Sequence, residues 1–265
     1  MTTVDVHVVR VFSDPSGAYG NPLAIVDGTQ VPPESRQTLA ASLGYSETVF
    51  IDDPTAGVLQ IFTPLAEMPF AGHPTVGAAW WLHSQGYETP VLRVPAGEIP
   101  VTRDGDLTSV QAHSTWGSTF SWHQLDSAVQ VLAANPASYT AGHTYLWSWL
   151  DEPAGTIRSR MFAPVMGVPE DEATGSAATQ LTARLGRNLH IIQGTGSHLH
   201  TTLLPDSWTT VGGRVVAEPS RVVDLPPTHL LGPATQWLTE NRELLAARGV
   251  QLELSSGAHV LRPPS

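Results

Sequence analysis

The strongest constraint on this chain is an internal repeat. Ile61–Trp81, IFTPLAEMPFAGHPTVGAAWW, reads as a strand, a proline-punctuated turn and a Gly-His-Pro step into an apolar helix. Met161–Leu181, MFAPVMGVPEDEATGSAATQL, follows the same grammar. Phe62, Pro64 and Pro69 recur as Phe162, Pro164 and Pro169, and a short insertion then separates Gly72-His73 from Gly175-Ser176. Two copies are too few for a solenoid, so the chain is expected to fold as two similar halves, each with one strand–turn–helix unit.

That unit has a chemical consequence. A helix opening after glycine leaves its first backbone N–H groups unpaired, and the macrodipole makes that end partially positive. Two such ends facing one another at Gly72 and Gly175 would hold a small anion, a carboxylate or phosphate, without help from lysine or arginine. Taken singly, each glycine is equally an ordinary helix-entry residue.

The 265 residues suffice for two domains with cores of their own. A boundary is expected in the Ser/Thr/Gly-rich segment 114–120, giving domains 1–115 and 116–265, the latter with a divergent tail from 219. A formal charge of −11 with only 13 Lys+Arg and no basic cluster argues against nucleic acid or anionic membrane as partners. No apolar run approaches spanning length, and the first residues carry no basic region followed by a long apolar core, so a cytoplasmic protein is expected. The absence of cysteine removes disulfides, thiolate metal sites and every cysteine-nucleophile or two-thiol racemase mechanism.

In chain order, strands are predicted over 4–12, 22–27, 46–51 and 57–63, with a helix over 34–43 closed by Gly44. The first repeat helix runs over 74–84 and stops at Gly86. It is apolar around much of its girth, as an enclosed helix would be. Short strands fill 90–111. The second half adds a short helix over 126–134, strands over 143–150 and 155–162, the repeat helix over 175–185 stopped by Gly186, and strands over 189–193, 198–204 and 209–217. The tail reads as an amphipathic helix over 233–248 and two strands, 250–254 and 258–262. Many short strands around one apolar helix per half predict an α+β protein in which a sheet curls around each central helix.

The segments GNPLAIV (20–26), SETVFI (46–51), IFTPLAEMPFAGHPTVGAA (61–79) and RMFAPVMGVPEDEATGSAA (160–178) together resemble the PhzF-like, or phenazine-biosynthesis-like, isomerase family. The resemblance spans roughly residues 4–217. It implies the diaminopimelate epimerase fold: two similar halves, each a β-barrel-like sheet wrapped around a central helix, with the active site between them. Carried over residue by residue, the family's acid/base glutamate falls on Glu47, its histidine on His73, its aspartate on Asp171 and its serine on Ser176. Gly72 and Gly175 match the glycines whose amides hold substrate. Without cysteines, the chain resembles the cysteine-free branch, whose best-known member isomerises a dihydro-hydroxyanthranilic acid by moving a proton. A homodimer is a further family-level expectation.

The sequence departs from the family at Glu172, where the family has proline, at Gly196-Ser197-His198-Leu199, which replaces a Gly-Arg-Pro-Ser element, and in the tail beyond 219. The expected function is therefore a cofactor-independent isomerase acting on a small carboxylate, cyclic or aromatic, with Glu47, His73 and Asp171 as catalytic residues and Gly72, Gly175 and Ser176 binding substrate. The departures leave two alternatives: a non-catalytic ligand-binding protein or partner subunit, or an enzyme using the same cleft for a cyclisation or elimination. Read without the resemblance, Glu47 is equally a surface strand-end acid, Asp171 and Ser176 helix caps, and His73 a capping or core histidine. No metal is expected: His198 and His200 share one strand face, but two imidazoles are too few. Trp80/Trp81 and Trp147/Trp149 are candidates to line an aromatic pocket.

Overall fold

A computed structural model describes residues 3–164, 168–226, 251–255 and 258–262. The first half comprises β1 (Thr3–Ser13), β2 (Asn21–Asp27), α1 (Pro33–Leu43), β3 (Thr48–Asp53), β4 (Val58–Phe62), β5 (Glu67–Met68), α2 (Gly72–Ser84), β6 (Val91–Val94), β7 (Gly97–Asp104) and β8 (Leu107–His113). The second follows that order from β2 onward, with β9 (Ser121–Gln124), α3 (Ala128–Ala133), β10 (Thr144–Asp151), β11 (Thr156–Ala163), β12 (Val168–Asp171), α4 (Gly175–Leu185), β13 (Leu189–Gln193), β14 (Ser197–Leu203) and β15 (Trp208–Asp224). A terminal hairpin, β16 (Gln251–Ser255) and β17 (Ala258–Arg262), follows.

The first half closes into a barrel through β15, a strand contributed by the second half. Pairing runs β1–β2–β3–β4–β6–β7–β8–β15 and back to β1, an eight-strand barrel around α2. Closure explains why α2 carries no polar face: Val76, Ala78, Ala79 and Leu82 are fully buried against Val9, Leu23 and Val49. The first strands are buried on both faces, because α1 covers their outer side through Leu39 and Ala40 over Val6, Val8 and Phe50. Such strands read as near-continuous apolar runs, as VDVHVVRVF does.

The second half winds β9–β10–β11–β13–β14–β15 around α4. Ala177, Ala178 and Leu181 of α4 pack in the same continuous core as α2. The fold is thus α+β, with two similar halves, each a sheet curled around a central helix. β15 belongs to both: its start lies between β8 and β14, and its end pairs with β1.

Several expectations shift. β3 starts at Thr48, so Ser46 and Glu47 lie in the approach to the strand, freeing their side chains from the sheet's alternation. α2 starts at Gly72, two residues earlier than expected, because Pro74 is tolerated within the first turn. The short strands β9 and β12 were not predicted, being too short for a period-2 signal. β15 runs seven residues beyond the predicted end, so residues 219–224 of the tail complete the first barrel along β1. The predicted helix over 233–248 lies outside the described residues. The predicted terminal strands are present as β16 and β17, and β17 joins β5 in parallel at Val260–Glu67.

Candidate active site

The two repeat helices meet end to end. A Cβ built on Gly175 would lie 3.0 Å from Gly72 Cα and 3.0 Å from His73 N; one on Gly72 would lie 3.1 Å from Gly175 Cα. Only glycine permits this approach of backbone to backbone. Neither helix has a side-chain cap: Ala71 and Thr174 occupy the N-cap positions without bonding an amide of the first turn. Two positive helix ends are thereby concentrated at one place.

Beside them opens a cleft with about 650 Å³ of empty space, its mouth included. Glu47, Asp171 and Ser176 line it together with Ser46, Ala71 and Thr174. His73 stands behind Glu47, 3 % exposed, and its Nδ1–H donates to Glu47 Oε2 at 3.1 Å. His73 Nε2 is buried with no partner among the described residues. Gly72 and Gly175 are buried and pack on each other without lining the cleft.

The electrostatics separate the two carboxyls. Burial works to raise Glu47, but the hydrogen bond and charge of His73, with a smaller contribution from Ser46, bring it below its ordinary value. Asp171 is pushed up to about 6, first by burial and then by the neighbouring Glu47 charge; the Thr174 hydroxyl, His73 and Asn21 oppose the shift. A pair of acids pushed apart in this way has one member ready to accept a proton and another ready to keep one.

Asp171 is held rigidly. Asn21 Nδ2 donates to Oδ1 at 2.7 Å and to Ala173 O at 3.1 Å, while Thr174 Oγ1 donates to Oδ2 at 2.6 Å. Gln193 Nε2 bonds Thr174 Oγ1 at 2.8 Å and the Asp171 carbonyl at 3.0 Å. Asn21, within the GNPLAIV segment, carries no role that local sequence could show, because its partner Asp171 lies 150 residues away.

The segment 114–120, expected as the boundary between the halves, also contributes to the cleft: Gly117, Ser118 and Phe120 line it, and Gln180 of α4 holds Ser118 O at 3.0 Å. The cleft's aromatic residues are Phe70 and Phe120. The tryptophan pairs do not line it. Trp81 packs on His7, and Trp147 meets Trp149 edge-on at 5.2 Å. His198 and His200 are joined by His190 across the β13–β14 pairing, with His190 Nε2 3.0 Å from His198 Nδ1, also away from the cleft. Among the described residues no group of three or more His, Asp or Glu side chains has metal-holding geometry. None of their helices is long and apolar enough to cross a membrane.

Glu172 accounts for both central departures in the sequence. Its carboxylate accepts from Thr195 N at 2.9 and 3.0 Å, from Thr195 Oγ1 at 2.9 Å and from Ser197 Oγ at 2.6 Å, fixing the β13–β14 turn. Ser197 Oγ in turn accepts from Gly20 N at 3.0 Å, next to Asn21.

Comparison with known proteins places the chain in a family. The family model described as phenazine biosynthesis-like protein matches residues 9–136 and 147–202. An uncharacterized isomerase of Pasteurella multocida is 31% identical over 268 residues, covering 84% of this chain and 86% of the relative. The trans-2,3-dihydro-3-hydroxyanthranilate isomerase of Pseudomonas fluorescens is 30% identical over 210 residues, 64% of this chain and 75% of that protein. The crystal structure of a phenazine biosynthesis protein of the PhzF family from Enterococcus faecalis superposes with a TM-score of 0.70 at 19% identity, over 84% of this chain and all of that one.

Proposed function

The chain belongs to the phenazine biosynthesis-like family and is an isomerase with a diaminopimelate epimerase-like fold, and from that premise we propose that it moves a proton on a small carboxylate-bearing substrate by acid/base catalysis at Glu47. The observation that carries this reading is the Glu47–His73 hydrogen bond beside Asp171 in one partly desolvated cleft. Glu47 faces the cleft as a carboxylate, the form that removes a proton from carbon. His73 orients it and stabilises its charge, and Asp171, pushed up to about 6, takes up a proton just below neutral pH. The uncapped starts of α2 and α4, with the Ser176 hydroxyl, supply donors for the substrate carboxylate.

The first compound to test is trans-2,3-dihydro-3-hydroxyanthranilate, which the relatives' name specifies: a cyclic carboxylate whose flat body suits walls built from Phe70, Phe120, Met68 and Met161. The departures that left a non-catalytic reading open do not fill the cleft. Glu172 turns to Thr195 and Ser197, outside the lining.

The test is the rate of isomerisation followed by NMR. Glu47→Gln keeps the volume and loses the acid/base group, so turnover should fall by about two to four orders of magnitude. A Glu47→Gln protein as active as the wild type removes the mechanism.

A further inference from the structure

The pseudo-symmetry of the halves gives Glu47 a counterpart. Thr48 opens β3 opposite Phe62 of β4; Thr144 opens β10 opposite Phe162 of β11. Each of these strands also pairs in parallel with the preceding one, Thr48 with Ala24 and Thr144 with Ser121. The residue immediately before each threonine therefore occupies the same place in its half. In the first half it is Glu47, and in the second it is His143. Both line the cleft.

His143 differs from its surroundings. Its stretch of wall is apolar, with the Phe120 ring 5.7 Å away, centroid to centroid. Burial lowers its pKa, with the Thr119 carbonyl pulling weakly the other way, so at neutral pH the ring is uncharged. The other titratable groups that line the cleft are Glu47 and Asp171, with His73 behind Glu47.

We propose that His143 is a second proton-transfer residue, acting on the substrate from the side opposite Glu47. This deepens the isomerase reading and rests on it. In one direction neutral His143 removes the proton, and the electrons of the broken C–H bond pass into the substrate's conjugated system. The Glu47–Asp171 carboxyl pair, in the fraction of molecules in which Asp171 is protonated, a fraction that grows as pH falls towards 6, gives that proton to the second carbon, where the new C–H bond forms. The imidazole ends as imidazolium and the pair without its proton; water carries a proton back between turnovers. No oxidant or cofactor enters the balance. The reverse reaction exchanges the roles. Two groups contributed by equivalent positions in the two halves would let the proton leave one face and enter the other, which a lone carboxylate cannot do without turning the substrate over.

The experiment uses trans-2,3-dihydro-3-hydroxyanthranilate carrying deuterium at the carbon that loses hydrogen, incubated in ordinary water with wild type and His143→Gln. With two groups, the wild-type product contains solvent hydrogen at the new C–H bond. His143→Gln should lose about 100-fold or more in rate, and its residual product should retain substrate deuterium. A purely structural role would leave the isotope pattern unchanged. Wild-type product carrying the substrate's own deuterium overturns the proposal, and needs no variant that folds. So does His143→Gln turning over at the wild-type rate. A wild-type protein inert to this compound overturns the substrate reading and this proposal together, an outcome distinct from either of the others.

Discussion

Asp171 shows how a buried carboxyl, kept for the chemistry proposed above, would lower stability. Its pKa in the folded protein, about 6, lies above the ordinary 3.8. The folded state therefore holds the proton more tightly than the unfolded chain does. The stabilisation from that proton is full below about pH 4 and is lost as pH rises through 6, so above pH 6 the ionised, buried acid opposes folding. Asp171→Asn should consequently raise the melting temperature at pH 8 by the equivalent of up to about 3 kcal/mol. At pH 4 it should give no gain, because the amide offers one acceptor oxygen where Asn21 and Thr174 now bond two. Thermal melts across pH 4–8 decide this, and an effect independent of pH would sink it. The repeat and the motif resemblance pointed to position 171, but not to its state: that depends on burial and on Glu47, far away in sequence.

Among elements, the β13–β14 turn shows how two irregularities compensate each other. Glu172 and the 195–197 segment each depart from the family pattern, and in the fold they bond to one another. Because Ser197 also holds Gly20, the turn reaches the start of β2 and thus Asn21. Glu172→Ala strands the Thr195 amide and two hydroxyls, and should cost about 1.5–3 kcal/mol in urea unfolding, since bonds to a charged acceptor are among the stronger ones. An unchanged unfolding midpoint would mean water replaces the carboxylate at no loss. The helices α1, α2 and α4 were legible from period, proline and glycine, and Gly44 and Gly186 end two of them in the left-handed conformation that glycine favours. Two-to-four-residue strands such as β5, β9 and β12 were not legible, because so short a run has no period.

For the whole molecule, β15 is decisive. It seals the first barrel between β8 and β1 while also carrying β14. A fragment of residues 1–115 contains the core of the first barrel but not the strand that closes it, leaving two long edges unpaired. That fragment should show no cooperative unfolding transition by circular dichroism, whereas the full chain unfolds in one step; sharp two-state unfolding of the fragment would contradict this. By itself the sequence determined that there are two similar halves and that each holds a buried helix entered through glycine; which acids to look for came from the family resemblance. These features are local, written in periodicity and in residues with special backbone freedom. Only the tertiary structure decided that the two glycines touch, that the boundary segment 114–120 also lines the cleft, and that His143 stands where Glu47 stands in the other half. Those are matters of strand register and closure, fixed by contacts between residues a hundred positions apart, and local patterning carries no record of such distances.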